Sequence, residues 1–278
     1  MGLKESIKQF QVRVDNYRNT LLNDKFNKVN EAKNGLIKYL LEMGCPAAFI
    51  PFNSFPSSRM PKIPVVPSCI TVGHTNISVS KDTKYSSVSV PFLLPLCHSG
   101  AFLFEGDLGS TGIPNLFQLI MLRLSLSMPL ELCKFHMVDC DYGRSFTHFN
   151  SLQNPKIQKT LYGPDQVHGL FMEMESIMKN MYSGEMGKYS NLSDYNSNNT
   201  KSAKPYNFIF IDDFPSSCPY QALDQLKAMI NNGNAMNAGI YLFINYSATN
   251  SHPRELEIDY FREHCAVITS KANGETSI

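Results

Sequence analysis

The opening forty residues alternate apolar and polar positions with a helical period. Ile7, Phe10, Val14, Tyr17 and Leu21 recur at steps of three and four. After a break in phase, Leu22, Phe26, Val29, Leu36 and Leu40 resume the pattern, with Lys33 in its polar slot. Lys, Glu, Asp and Asn fill the remaining faces, and no proline interrupts before Pro46. This predicts one helix of about 38 residues, ~57 Å long, with a coiled-coil type stripe. Two uses of that stripe stay open: packing along the helix's own domain, or pairing with a partner or hairpin helix. Gly44-Cys45-Pro46 stops the helix, and the prolines at 46, 51, 56, 61, 64 and 67 then deny both helix and ladder continuity. Short β-rich runs at Cys69–Val72, Ile77–Val79 and Ser86–Val90 predict an antiparallel ribbon.

From residue 91 the pattern changes. Apolar strands are predicted at Ala101–Glu105, Lys134–Asp139, Phe208–Ile211 and Gly239–Ile244. Helices with apolar spacing are predicted at Pro114–Met128, Phe171–Met181 and Pro219–Ile230. Alternating strands and helices predict an α/β domain with a mainly parallel sheet. Residues 183–204 are rich in Ser, Asn, Gly, Lys and Tyr, and read as a long, solvated, mobile loop. The expected organisation is a helix over 1–45, a Pro-rich connector and ribbon over 46–90, and the α/β domain over 91–278.

Composition narrows the chemistry. With 25 basic and 24 acidic residues the formal charge is +1, so direct DNA binding finds no support in charge. Seven dispersed cysteines without metal-ligand spacing read as buried thiols in a reducing cytoplasm. Seven dispersed histidines form no metal motif, and no GxSxG elbow starts a hydrolase triad. The amino terminus lacks a signal-peptide layout, and no apolar run approaches the ~20 residues of a membrane helix. The expectation is a cytoplasmic protein.

Two constellations could carry chemistry. Ala101–Glu105, the loop Gly106-Asp107-Leu108-Gly109-Ser110-Thr111-Gly112, and the following helix have the strand–loop–helix shape of a phosphate site. A working P-loop needs Lys and then Ser/Thr at the helix start, where this chain has Ile113 and Pro114. The glycine spacing is one residue too long, and Glu105 and Asp107 would repel a triphosphate. A plain structural turn and a residual nucleotide site, with Gly106, Gly109, Ser110, Thr111 and Gly112 as its backbone, both stay open. The second constellation is Phe208-Ile209-Phe210-Ile211-Asp212-Asp213, an apolar strand ending in paired acids. It matches a Walker B strand, where the first acid (Asp212) would serve magnesium and the second (Asp213) the attacking water. A simple loop start at Asp213-Phe214-Pro215 is the other reading. Asp139 and Asp141 follow the second strand, where α/β folds also place ribose- or metal-facing acids.

An ordered series of short motifs resembles the FtsK/SpoIIIE-type ATPases. They are Val90-Pro91-Phe92-Leu93-Leu94-Pro95, Met121-Leu122-Arg123-Leu124, Val138-Asp139 through Gly143 to Phe149, Pro205-Tyr206, Asp213-Phe214-Pro215 and Gly239-Ile240-Tyr241. The resemblance covers roughly residues 64–246 and is closest to the degenerate ATPase-like domain that precedes the active motor lobe in multi-lobe members. It departs at Met128-Pro129-Leu130, where the family has adjacent prolines and a glycine. It implies a three-layer P-loop NTPase-like fold of the RecA/FtsK kind. It also implies a role in assembling or regulating a DNA-translocase-type motor, with an FtsK-like motor lobe or other subunits as partners and DNA met only indirectly. No GKTGSGKS loop occurs in the 278 residues. The resemblance therefore assigns hydrolysis to another lobe, in a longer chain or a separate subunit. The alternative is an ATP-binding DNA translocase subunit that uses ATP and magnesium through Asp212, Asp213 and an atypical loop.

Overall fold

The computed structural model describes residues 3–42, 45–51, 54, 62–79, 87–106, 112–141, 143–183, 186–247, 256–270 and 276–277. Helix α1 (Leu3–Glu42) is continuous, and a 3-10 turn at Pro46–Ala48 follows it. Strands β1 (Ile70–Ser78) and β2 (Ser87–Leu94) form the antiparallel ribbon. The α/β body then runs β3 (Ala101–Gly106), α2 (Gly112–Ser127), β4 (Cys133–Val138), α3 (Thr147–Asn150), β5 (Gln158–Tyr162), α4 (Val167–Met181), α5 (Leu192–Asn198), β6 (Tyr206–Phe214), α6 (Tyr220–Ile230), α7 (Asn234–Asn237), β7 (Ile240–Tyr246), α8 (Ile258–His264), β8 (Ala266–Ser270) and β9 (Thr276–Ser277).

Seven strands lie in the order β5-β4-β6-β7-β3-β8-β9, parallel except for the last pair. The α/β class, the parallel sheet, the long helix and the ribbon are as the sequence predicts. Pairing registers set Phe135, Phe208 and Tyr241 in one row and Met137, Phe210, Phe243 and Phe102 in the next. Alternation puts all of these on one face, where Phe117 of α2 meets Phe104, Phe210 and Phe243 edge-on. Phe210 and Phe243 stack with centroids 4.6 Å apart. Leu103, Ile209, Ile211, Leu242 and Ile244 line the opposite face, and all are buried. One face is thus aromatic and the other aliphatic.

The stretch expected as a solvated loop over 183–204 instead contains α5, with Leu192, Tyr195 and Asn196 buried. Its polar composition is used for local bonding. Asn191 caps the helix by accepting from the Asp194 amide at 2.8 Å. Asn196 pairs with the backbone of Lys204, donating to its carbonyl at 2.9 Å and accepting its N–H at 2.8 Å.

α2 also organises the connector. The Arg123 guanidinium is buried and donates from one nitrogen to the carbonyls of Ala47 (3.0 Å) and Ile50 (2.6 Å). At the carboxyl end of the same helix, the Ser127 carbonyl accepts from the Ile63 amide, and Lys62 donates to the Ser125 carbonyl at 2.6 Å. The connector is therefore tied along the last turns of α2, where helix carbonyls need donors. Among the described residues, no helix is long and apolar enough to cross a membrane. Of the cysteines, Cys45, Cys133 and Cys218 are buried as expected, whereas Cys97 is exposed.

Candidate functional site

In parallel α/β sheets, ligand sites form beyond the carboxyl ends of the strands. At that edge the registers of β4, β6 and β7 bring Asp139, Asp212 and Asn245 side by side, on the face that α2 covers. Each of the three has a defined role.

Asp139 organises a turn. One oxygen accepts the Asp141 amide at 2.9 Å; the other accepts those of Gly143 (3.1 Å) and Ser145 (2.9 Å). Gly143 sits at φ +104, with Leu161 2.9 Å from where a Cβ would lie. The ribose- or metal-facing role considered for Asp139 does not fit a carboxylate already spent on three backbone donors. Asp141 is exposed and pairs with Arg144 at 3.5 Å.

Asp212 is buried and accepts the Asn245 side-chain amide at 2.6 Å. Burial pushes its carboxyl above the usual range, with the charge of Asp139 adding, while hydrogen bonds from Asn245 and Ser145 pull the other way. Asp213, in contrast, has φ +56 and begins a turn closed by the Ser217 amide on its carbonyl. Its carboxylate faces Cys140, whose thiol is pushed up to about 11 by burial first and by Asp213 second. The two acids therefore diverge, one toward β7 and the other toward the end of β4.

Asp212 ties stability to pH. Its raised folded-state pKa means that ionisation favours the unfolded chain, so its stabilising share is lost as pH rises through the folded value. Asp212→Asn keeps an acceptor for Asn245 and removes the charge. Thermal melts should show the variant more stable than the parent at neutral pH, with the gap closing as pH falls toward 4. A lower melting temperature at pH 7 would show that the carboxylate charge is instead stabilised.

At the loop, Gly106 ends β3 at φ +131, and Gly112 opens α2. Gly109, Ser110 and Thr111 lie outside the described residues. Ile113 and Pro114, the next residues of α2, are both buried. α2 contains no lysine, and its one cation, Arg123, is turned to the connector. Glu105 is neutralised by Arg262 of α8 at 2.9 Å, so the repulsion expected from it is offset. Among the described residues, no three of His, Cys, Asp and Glu group as metal ligands. Among the described residues, no cation stands in the first turn of α2, and Asp212 is held by Asn245.

Two further features escaped the sequence reading. His136 is buried between Tyr162 (3.2 Å) and Asn207 (3.1 Å), and burial lowers its pKa. At the opposite edge of the sheet, a cavity of about 380 Å3 is lined by residues including Phe49, Val66, Leu96, Met236 and Tyr241. Its lining comes from the connector, the link between β2 and β3, α5, α7 and the amino end of β7, which only the folded topology assembles.

A scan of the sequence against protein-family models matches none, and a search of curated proteins likewise matches none. Solved structures do match in fold. The cytoplasmic domain of the type VII secretion ATPase EccC from Thermomonospora curvata aligns with TM-score 0.53 and 18% identity over 84% of this chain and 27% of that one. ATPases 2 and 3 of EssC from Geobacillus thermodenitrificans align with TM-score 0.53 and 12% identity, over 80% of this chain and 40% of that one. The pCW3 conjugation coupling protein TcpA, solved with ATPγS, gives TM-score 0.51 and 12% identity, over 81% and 60%. The chain has the P-loop ATPase-like fold of these domains. It spans less than two thirds of the length of each.

Proposed function

We propose that this chain is a catalytically degenerate FtsK/SpoIIIE-like ATPase module that acts in the assembly or regulation of a motor whose hydrolysis is done by another lobe or subunit. The observation that carries this reading is the first turn of α2. There, buried Ile113 and Pro114 occupy the helix start that would present a lysine and a hydroxyl to phosphates. Asn245 supports the same reading from across the sheet, because it satisfies Asp212 without a cation. The fold shared with domains of larger ATPases supports a modular role.

Calorimetric titration of the chain with ATP and magnesium tests this. The expected result is no binding heat, no shift in melting temperature and no phosphate release, with or without DNA. Micromolar binding that is lost in Asp212→Ala would overturn the reading and establish a working nucleotide site.

A further inference from the structure

The phase break in α1 has a structural counterpart. The second stripe, Leu22, Phe26, Val29, Lys33, Leu36 and Leu40, is partly or fully covered at every position, and Leu36 and Leu40 join the core cluster. The first stripe is not. Phe10, Val14, Tyr17 and Leu21 are between 43% and 69% exposed. At 100° per residue, the two stripes are centred about 100° apart around the helix axis. One helix thus carries two seams, and its own body covers the second.

The charges beside the open seam are of one sign. Arg13 precedes Val14 and Arg18 follows Tyr17, the positions that flank a heptad core on its two sides. Asp15 projects on the far side of the helix, roughly 100° or more from the seam centre. The ion pairs along α1 among the described residues, Lys28–Asp24 and Lys38–Glu42, both lie in its second half. The open seam is also narrow, spanning about 60–80° of the helix surface, as a coiled-coil seam does; a helix lying in a membrane surface presents a broader apolar face.

We infer that residues 8–21 dock a helix of another protein or lobe, of about two heptads, whose apolar seam is flanked by Asp or Glu. A second copy of this chain fits less well. Parallel pairing would set Arg13 against the copy's Arg18, and antiparallel pairing would set the arginines against Thr20 and Gln11 with no ion pair formed. The inference does not depend on whether nucleotide binds.

The test uses the full chain and two labelled synthetic three-heptad peptides with leucine at both core positions, one with glutamate and one with lysine at the flanking positions. Fluorescence anisotropy at low salt should show the glutamate peptide binding at least about tenfold more tightly. Phe10→Ala/Tyr17→Ala should lose that binding with an unchanged melting temperature. Arg13→Glu/Arg18→Glu should invert the preference between the peptides. Equal binding of both peptides, or binding that survives these substitutions, would overturn the inference. So would self-association in the ultracentrifuge, or capture by phosphatidylserine vesicles, if either is abolished by Phe10→Ala/Tyr17→Ala.

Discussion

Arg123→Met should lower stability by about 3 kcal/mol, from the penalty of ~1–3 kcal/mol for each buried polar group that loses its partner. The guanidinium donates to the carbonyls of Ala47 and Ile50. Methionine keeps the apolar stem, so packing changes little and the loss includes that of the two hydrogen bonds. Burial pulls the Arg123 pKa down to about 10, which still leaves it charged at neutral pH. For a domain of this size the melting temperature should fall by roughly 6–12 °C. Arg123→Lys, which can donate to only part of this geometry, should fall in between. A loss below about 1 kcal/mol in urea titration would mean that water reaches the carbonyls as easily as the arginine does.

Gly239→Ala should cost a similar amount for a different reason. Gly239 has φ +75, and an added Cβ would fall inside contact distance of Leu192 Cδ2 and 2.9 Å from the Tyr206 ring. The left-handed backbone accounts for about 1–2 kcal/mol and the overpacking for about 1–3. Gly233 separates the two effects. It has φ +67 with no atom within 4 Å of the added Cβ, so Gly233→Ala should show only the backbone cost, about 1 kcal/mol. Leu192→Ala introduced beside Gly239→Ala should recover part of the loss, a coupling readable in a double-mutant cycle. Equal costs at 233 and 239 would show that the α5 contact is soft.

These sites also show which parts of the structure were legible in the sequence. β3, β4, β6 and β7 are apolar runs buried on both faces, and their composition announces them. β5 lies at the sheet edge, reads Gln-Lys-Thr-Leu-Tyr and is half exposed, so no apolar run marks it. β8 is five residues long and follows the seven-residue α8, too short for a periodic signal. α5 was hidden because Asn and Ser serve there as caps and backbone partners, a use that composition alone cannot separate from solvation.

The acids closing β6 were visible as a motif, but their environment was not. Asn245 lies 33 positions away from Asp212 and meets it only because β6 and β7 pair in register. Asp139 and Asp212 look alike as strand-end acids. The folded turn after β4 makes one a loop clamp and leaves the other buried beside an amide. Spacing along a chain carries register only within one element, so chemistry that depends on neighbouring strands stays hidden.

α1 is also a mechanical object. It is a rod held along its second half by the ribbon and the body, with the first half projecting as a cantilever of roughly 30 Å at 1.5 Å per residue. A tilt of about 5° at its root would carry the tip through roughly 3 Å on that length. The far end of the held half runs into the Pro46–Ala48 turn, whose position Arg123 fixes to α2. Load applied at Phe10 and Tyr17 would therefore pass along the rod to that turn and, through Arg123, to α2.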